Sequence, residues 1–313
     1  MRRWLLWSIG AVALCALGFA GPSGAADDVA VAYDQIERAL PAGAVPPAPD
    51  EFDADEAETR KAIALRPGGK RGISRLIGSM GRKGPADALS ALSDDLRDAG
   101  FPRLERHVFY RGWERIEDIV GGTIVLRKCD QGMLVTLDSV HKTYRVDEPA
   151  AVDRARLLER AAGERAGGGS LDVVRRVEKM QSRTIDGIVA DAYRATQTLR
   201  SDSATGSCRV ATIASQTETY YAPFGAPVST CPRAAPDFPA TPLAVVARDG
   251  CRPSGVAHAS GTTEPSAPLV LYRLMTLTEG RTRMMLLLAR GHLRTIVSPA
   301  ALFEIPPGYA KAS

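Results

Sequence analysis

Thr123-Ile-Val-Leu-Arg-Lys-Cys-Asp-Gln-Gly-Met-Leu-Val-Thr-Leu137 decides the fold. Two runs rich in β-branched and apolar residues, Thr123–Lys128 and Met133–Leu137, flank Cys129-Asp-Gln-Gly132, a turn composition. That is a hairpin, and its neighbours continue it. His107–Arg111 and Trp113–Ile119 precede it with period two. Asp138-Ser-Val-His141 makes another turn into Lys142–Val146. The segment reads as an antiparallel meander.

Downstream the same signals return. Arg183–Leu199, broken by Asp186-Gly187, and Arg209–Tyr221 read as strands. Leu269–Leu277, Arg281–Ala289 and His292–Val297, with turns at Thr278-Glu-Gly280 and Arg290-Gly291, read as two hairpins. Met284-Met-Leu-Leu-Leu288 is apolar at every position. It fits a central strand covered by a helix on one side and by core or a bound apolar ligand on the other. About ten strands with few helices argue for an α+β protein built on a large, curved antiparallel sheet, a half-barrel with a few covering helices.

The flanking regions are less regular. Residues 26–60 read as a short helix, a Pro41–Pro49 linker and an acidic run, and are expected to be flexible. Residues 61–100 hold a basic stretch (Arg66, Lys70, Arg71, Arg75, Arg82, Lys83) and a helix over Pro85–Ala99. The basic stretch suits peripheral contact with anionic lipid, or simply a solvated segment facing the acidic run. The remainder, 101–313, is the β domain. It carries a helical insertion at 149–170 that closes on Gly167-Gly-Gly169, and a proline-rich excursion at 222–268.

Residues 1–25 resemble an export signal. Arg2 and Arg3 precede an apolar run from Trp4 to Phe19, and Ser23 and Ala25 supply the small residues a signal peptidase needs. Cleavage is expected after Ala25 or Ala26, which places the mature chain in a periplasm. The formal charge of +4 then falls to +2 with the loss of both arginines, so nothing suggests nucleic-acid binding. Four cysteines remain: Cys129, Cys208, Cys231 and Cys251. In an oxidising compartment three pairings are open. Cys231–Cys251 is favoured because it closes a Pro/Ala-rich loop, at roughly 3 kcal/mol of chain entropy, which leaves Cys129–Cys208.

Chemistry is sparse. No G-x-S-x-G elbow, H-E-x-x-H pair or Walker loop occurs, so neither enzyme activity, a cofactor nor a metal site is expected. His107, His141, His258 and His292 are far apart in the chain; His141 and His292 could still meet Asp138 or Glu279 in space. Glu114, Glu117 and Asp118 alternate onto what should be a wet face. Trp113 and Tyr220-Tyr221 suit either a cavity mouth or cross-strand packing.

Three passages together resemble a family. They are Trp113-Glu-Arg-Ile-Glu117 with the meander that follows, Arg183–Tyr193 with Thr219-Tyr-Tyr-Ala-Pro223, and the ending Ser298-Pro-Ala-Ala-Leu-Phe-Glu-Ile-Pro-Pro-Gly-Tyr309. In this order they are similar to exported bacterial proteins whose sheet is like the lipoprotein-carrier (LolA-like) half-barrel. The resemblance spans 103–310. It implies a curved sheet enclosing an apolar cavity, in an architecture that carries acyl chains or senses lipoproteins. The cysteines, the basic segment and the long excursion depart from that pattern. The expected function is non-enzymatic binding of an apolar or lipid-like ligand, lined by Leu126, Val135, Leu137, Tyr193, Met284, Leu286 and Leu288. The alternative is an envelope protein with a filled core that acts on a protein partner through 66–83 or 222–268.

Overall fold

The computed structural model describes residues 28–40, 43–65, 102–147, 167–203, 210–227, 229, 251–266 and 268–312. Fourteen strands form one open, curved sheet, and one α-helix packs on it. The strands are β1 (Val29–Leu40), β2 (Arg103–Tyr110), β3 (Trp113–Asp118), β4 (Thr123–Lys128), β5 (Met133–Asp138), β6 (Thr143–Asp147), β7 (Gly167–Lys179), β8 (Arg183–Ile185), β9 (Ile188–Ser201), β10 (Ala211–Gly225), β11 (Cys251–Gly261), β12 (Pro268–Glu279), β13 (Thr282–Val297) and β14 (Ala310–Lys311). The helix is α1 (Phe52–Ala64).

The order across the sheet is β11-β7-β9-β10-β12-β13-β1-β2-β3-β4-β5-β6-β14, with β8 folded back on β9. All pairs are antiparallel except β11 on β7 and β14 on β6, at the two edges. The meander β2 to β6 falls where the alternating runs placed it. Gly132 and Gly187 occupy left-handed turn positions, where a side chain would be strained.

Four expectations are corrected. The helix and flexible segment expected within 26–60 are instead a central strand and a docked helix. Tertiary pairing overrides the helix-forming Ala, Glu, Arg and Leu of β1, which lies between β13 and β2 with both faces covered. The segment ahead of α1 also lies on the sheet, where the Tyr272 hydroxyl donates to the Pro47 carbonyl at 2.9 Å. Gly167-Gly-Gly169 is no joint; it opens β7. The 222–268 excursion is not wholly irregular, because it continues β10 and supplies β11.

The expected turn at Arg290-Gly291 is a bulge inside one long strand. Ala32 faces Arg294 and Asp34 faces Gly291, so β13 carries one residue more than β1 between these pairs. His292, in the bulge, has a φ of +55°. The Pro85–Ala99 helix, the basic stretch and the helix after Pro149 lie outside the described residues. No helix among the described residues is long and apolar enough to cross a membrane.

The sheet has two faces. On the first, Phe52 of α1 packs with Ile36, Leu40, Leu104, Met285, Leu287 and Ala289. Further along this face the C-terminal tail lays Phe303 on Ala30, Ala32, Val108 and Tyr110. The tail also sets Ile305 and Tyr309 against Ile124, Leu126, Val135 and Leu137.

Candidate functional site

The second face is built by the opposite side chains of the same strands. On β13 these are Met284, Leu286, Leu288 and Arg290. Leu288 faces Glu37 of β1, and Arg290 faces Gln35. Gln35 in turn faces Glu105 of β2, and Tyr33 faces His107. Phe109 then faces Glu114 of β3, which faces Arg127 of β4. The face therefore has two halves. Toward β7 it is apolar, with Leu199, Ile213, Met275 and Leu277 around Met284, Leu286 and Leu288. Toward β4 it is charged.

The charged half is buried. Glu37, His107 and Glu114 are each about 8% exposed. His107 Nδ1 is 3.3 Å from Glu114 Oε1, and Arg127 holds the other Glu114 oxygen at 2.7 Å. Tyr33 stacks on the imidazole at 5.2 Å. The Gln35 amide donates to Glu37 at 2.8 Å, and Arg290 donates to Gln35 at 2.6 Å while lying over the Tyr33 ring. His107 Nε2 is buried without a hydrogen-bond partner; Glu105 is its nearest carboxylate, at 3.5 Å.

Burial shapes the protonation states. Burial, with help from the Glu105 charge, pushes Glu37 up to about 7. Burial alone would lower the His107 imidazole, but Glu105 and Glu114 outweigh it and raise the group to about 10. Burial likewise opposes ionisation of Glu114, yet His107 and Arg127 hold it below the usual carboxylate range. The arrangement presents a fixed imidazolium between carboxylates, beside a glutamic acid that changes charge near neutrality.

The expected lining is only partly brought together. Met284, Leu286 and Leu288 lie in the apolar half of the second face, at 8, 0 and 8% exposed. Tyr193 belongs to a neighbouring cluster with Val177, Ala195 and Tyr221. Leu126, Val135 and Leu137 are on the first face, beneath Ile305 and Tyr309. A single β-strand step separates Leu126 from Arg127, so the two point to opposite sides.

Glu114 is not on a wet face as alternation suggested; it is buried between His107 and Arg127. Trp113 meets its cross-strand neighbour Tyr110 and Phe303, and Tyr220 meets Tyr272, all as packing partners. A groove of about 490 Å³ opens over β7, β9, β10 and β12, lined by polar side chains such as Arg176, Thr196, Thr198, Gln216, Thr278 and Arg283.

Other groups fall as follows. His141 does meet Asp138, at 2.7 Å in an exposed turn. His292 does not meet Glu279; it meets Asp34, Asp53 and Glu56. No spacing in the chain signals that meeting. Among the described residues no serine or cysteine side chain bonds a histidine. Cys129 is disulfide-bonded. The side chains of the other cysteines lie outside the described residues, and the expected pairings with them. The chain matches no protein-family model, no curated protein and no solved structure.

Proposed function

We infer that this is an exported, non-enzymatic binding protein whose second face takes a lipid-like amphiphile. The reading rests on one observation. A buried charged set, His107 with Glu37, Glu105 and Glu114, shares that face with the apolar side chains Met275, Leu286 and Leu288. A polar headgroup would pair with that set, and hydrogen bonds to charged groups contribute about 1.5–3 kcal/mol each. The acyl part would insert against Met275, Leu286 and Leu288 by parting the packing that closes over them in this structure, each buried CH₂ contributing about 0.8 kcal/mol. The open, curved sheet and the resemblance to lipoprotein-carrier half-barrels favour the same reading. Contact with an envelope membrane would then be peripheral.

A specific observation also favours the second reading, an envelope protein acting through a protein partner. The apolar side chains are closed over, and the open groove is polar. The two separate by native mass spectrometry of the mature protein, purified from periplasm in a gentle buffer, followed by organic extraction. A reproducible adduct released on denaturation, and weakened in His107→Gln, is expected. A clean apo mass would discard the amphiphile and leave the partner protein.

A further inference from the structure

The bulge in β13 brings together groups that the amphiphile does not use. His292 Nδ1 stands 3.1 Å from Asp34 Oδ2 on β1 and 3.7 Å from Glu56 Oε2 on α1. One ligand atom from each of the three residues lies within 4.8 Å of the other two. We propose that Asp34, Glu56 and His292 form a divalent-cation site of the zinc type, clamping α1 to the bulge.

Zinc binds imidazole nitrogen and carboxylate oxygen at about 2.0–2.2 Å, and ligands arranged tetrahedrally around it stand a little over 3 Å apart. The His292 nitrogen already stands near that spacing from both carboxylates, and the carboxylate oxygens lie within 4.8 Å of each other. Each ligand is also oriented from behind. His292 places its other nitrogen, Nε2, 2.8 Å from Asp53 Oδ1. That is the outer carboxylate which ordinarily fixes the tautomer of a metal-bound histidine. Arg60 takes Glu56 Oε1 at 2.8 and 2.6 Å, leaving Oε2 for the ion. Arg106 bonds both oxygens of Asp34, at 2.7 and 3.0 Å, and a carboxylate has lone pairs to spare for a cation.

The imidazole nitrogen in the donor set favours zinc and its later transition-metal neighbours over magnesium and calcium. His292 is 40% exposed by its side chain, so a further coordination position faces water. Arg106 and Arg294, the latter 4.0 Å from Asp34, add positive charge that weakens the hold. The affinity expected is therefore micromolar, well short of a structural zinc site.

The competing account is an ion-pair network with no metal. Isothermal titration of tag-free, EDTA-stripped protein with zinc chloride and, separately, magnesium chloride near neutral pH decides between them. Zinc should bind at about one equivalent, with heat absent for magnesium. His292→Asn, which tolerates the positive φ, and Glu56→Gln should each weaken zinc at least tenfold. Asp53→Asn, removing an outer partner, should weaken it several-fold. Circular dichroism of each variant checks that the sheet persists. No zinc heat in the wild type, equal affinity in folded His292→Asn, or equal magnesium binding would each overturn the site. The site is on the first face, so it stands or falls independently of the amphiphile.

Discussion

At the scale of single residues, Glu37 and His107 make stability depend on pH in one direction. Both have folded-state values above their unfolded ones. The folded protein therefore binds more protons across the gap, and stability falls as pH rises through it. For Glu37 the loss runs from about 4.5 to about 7; for His107 it runs from about 6.5 to about 10. Glu37→Gln keeps an acceptor for Gln35 and removes the buried charge. At pH 8 it should be more stable than wild type by up to about 3 kcal/mol, at 1.36 kcal/mol per unit, with no gain at pH 4. Urea melts at the two pH values measure this, and a variant less stable at pH 8 would contradict it. His107→Gln should do the reverse. Glu105 and Glu114 lose their common cation, at a cost of about 3 kcal/mol near pH 7 that shrinks toward pH 10. Neither residue announced itself in the sequence. An alternating strand places a charge on the solvent side only when there is a solvent side; β1 is buried on both faces, and His107 is closed in by Tyr33, Phe109 and Glu114.

At the scale of elements, legibility followed the local signal. The meander from β2 to β6 was readable because each strand has period two and each turn has Gly or Asp at its corner. The Met284–Leu288 run marked an interior strand with a helix on one side, and α1 is that helix. β1 was misread because Gln, Glu, Arg and Ala favour helix, and its partners β13 and β2 lie far away in the chain. The bulge was misread as a turn for a related reason. Arg290-Gly291 has turn composition, yet Gly291 serves a different need, which is close approach of the helix. A Cβ at Gly291 would come within 2.5–3.0 Å of the Phe52 ring. Gly291→Ala should therefore cost about 1–3 kcal/mol by displacing α1. Phe52→Ala should cost about 3–5 kcal/mol by emptying the same space. The two should not add: in a Phe52→Ala background the added methyl has room, and Gly291→Ala should cost under about 0.5 kcal/mol. Additive losses in a double-mutant thermal series would show that Gly291 matters for something other than the ring.

At the scale of the whole molecule, α1 and the C-terminal tail cover the first face from β13 to β5, the groove opens on that face over β7 to β12, and the second face carries the apolar and charged halves. The sequence could not assign faces across strands, because that requires the register, and so the expected lining mixed both. Leu126, Val135 and Leu137 went with Met284, Leu286 and Leu288 although a sheet separates them. The tail shows how this can be tested. Phe303 is 1% exposed, and Arg115 donates to the Leu302 carbonyl at 2.9 Å, so the tail belongs to the fold. Phe303→Ala should cost about 3–5 kcal/mol in urea melts. The amphiphile is assigned to the opposite face, so the folded fraction of this variant should keep the wild-type amount of extractable ligand. If the variant stays folded but the bound mass disappears, the ligand lies under the tail beside Leu126, Val135 and Leu137. The His107 end of the second face would then have no part in holding it.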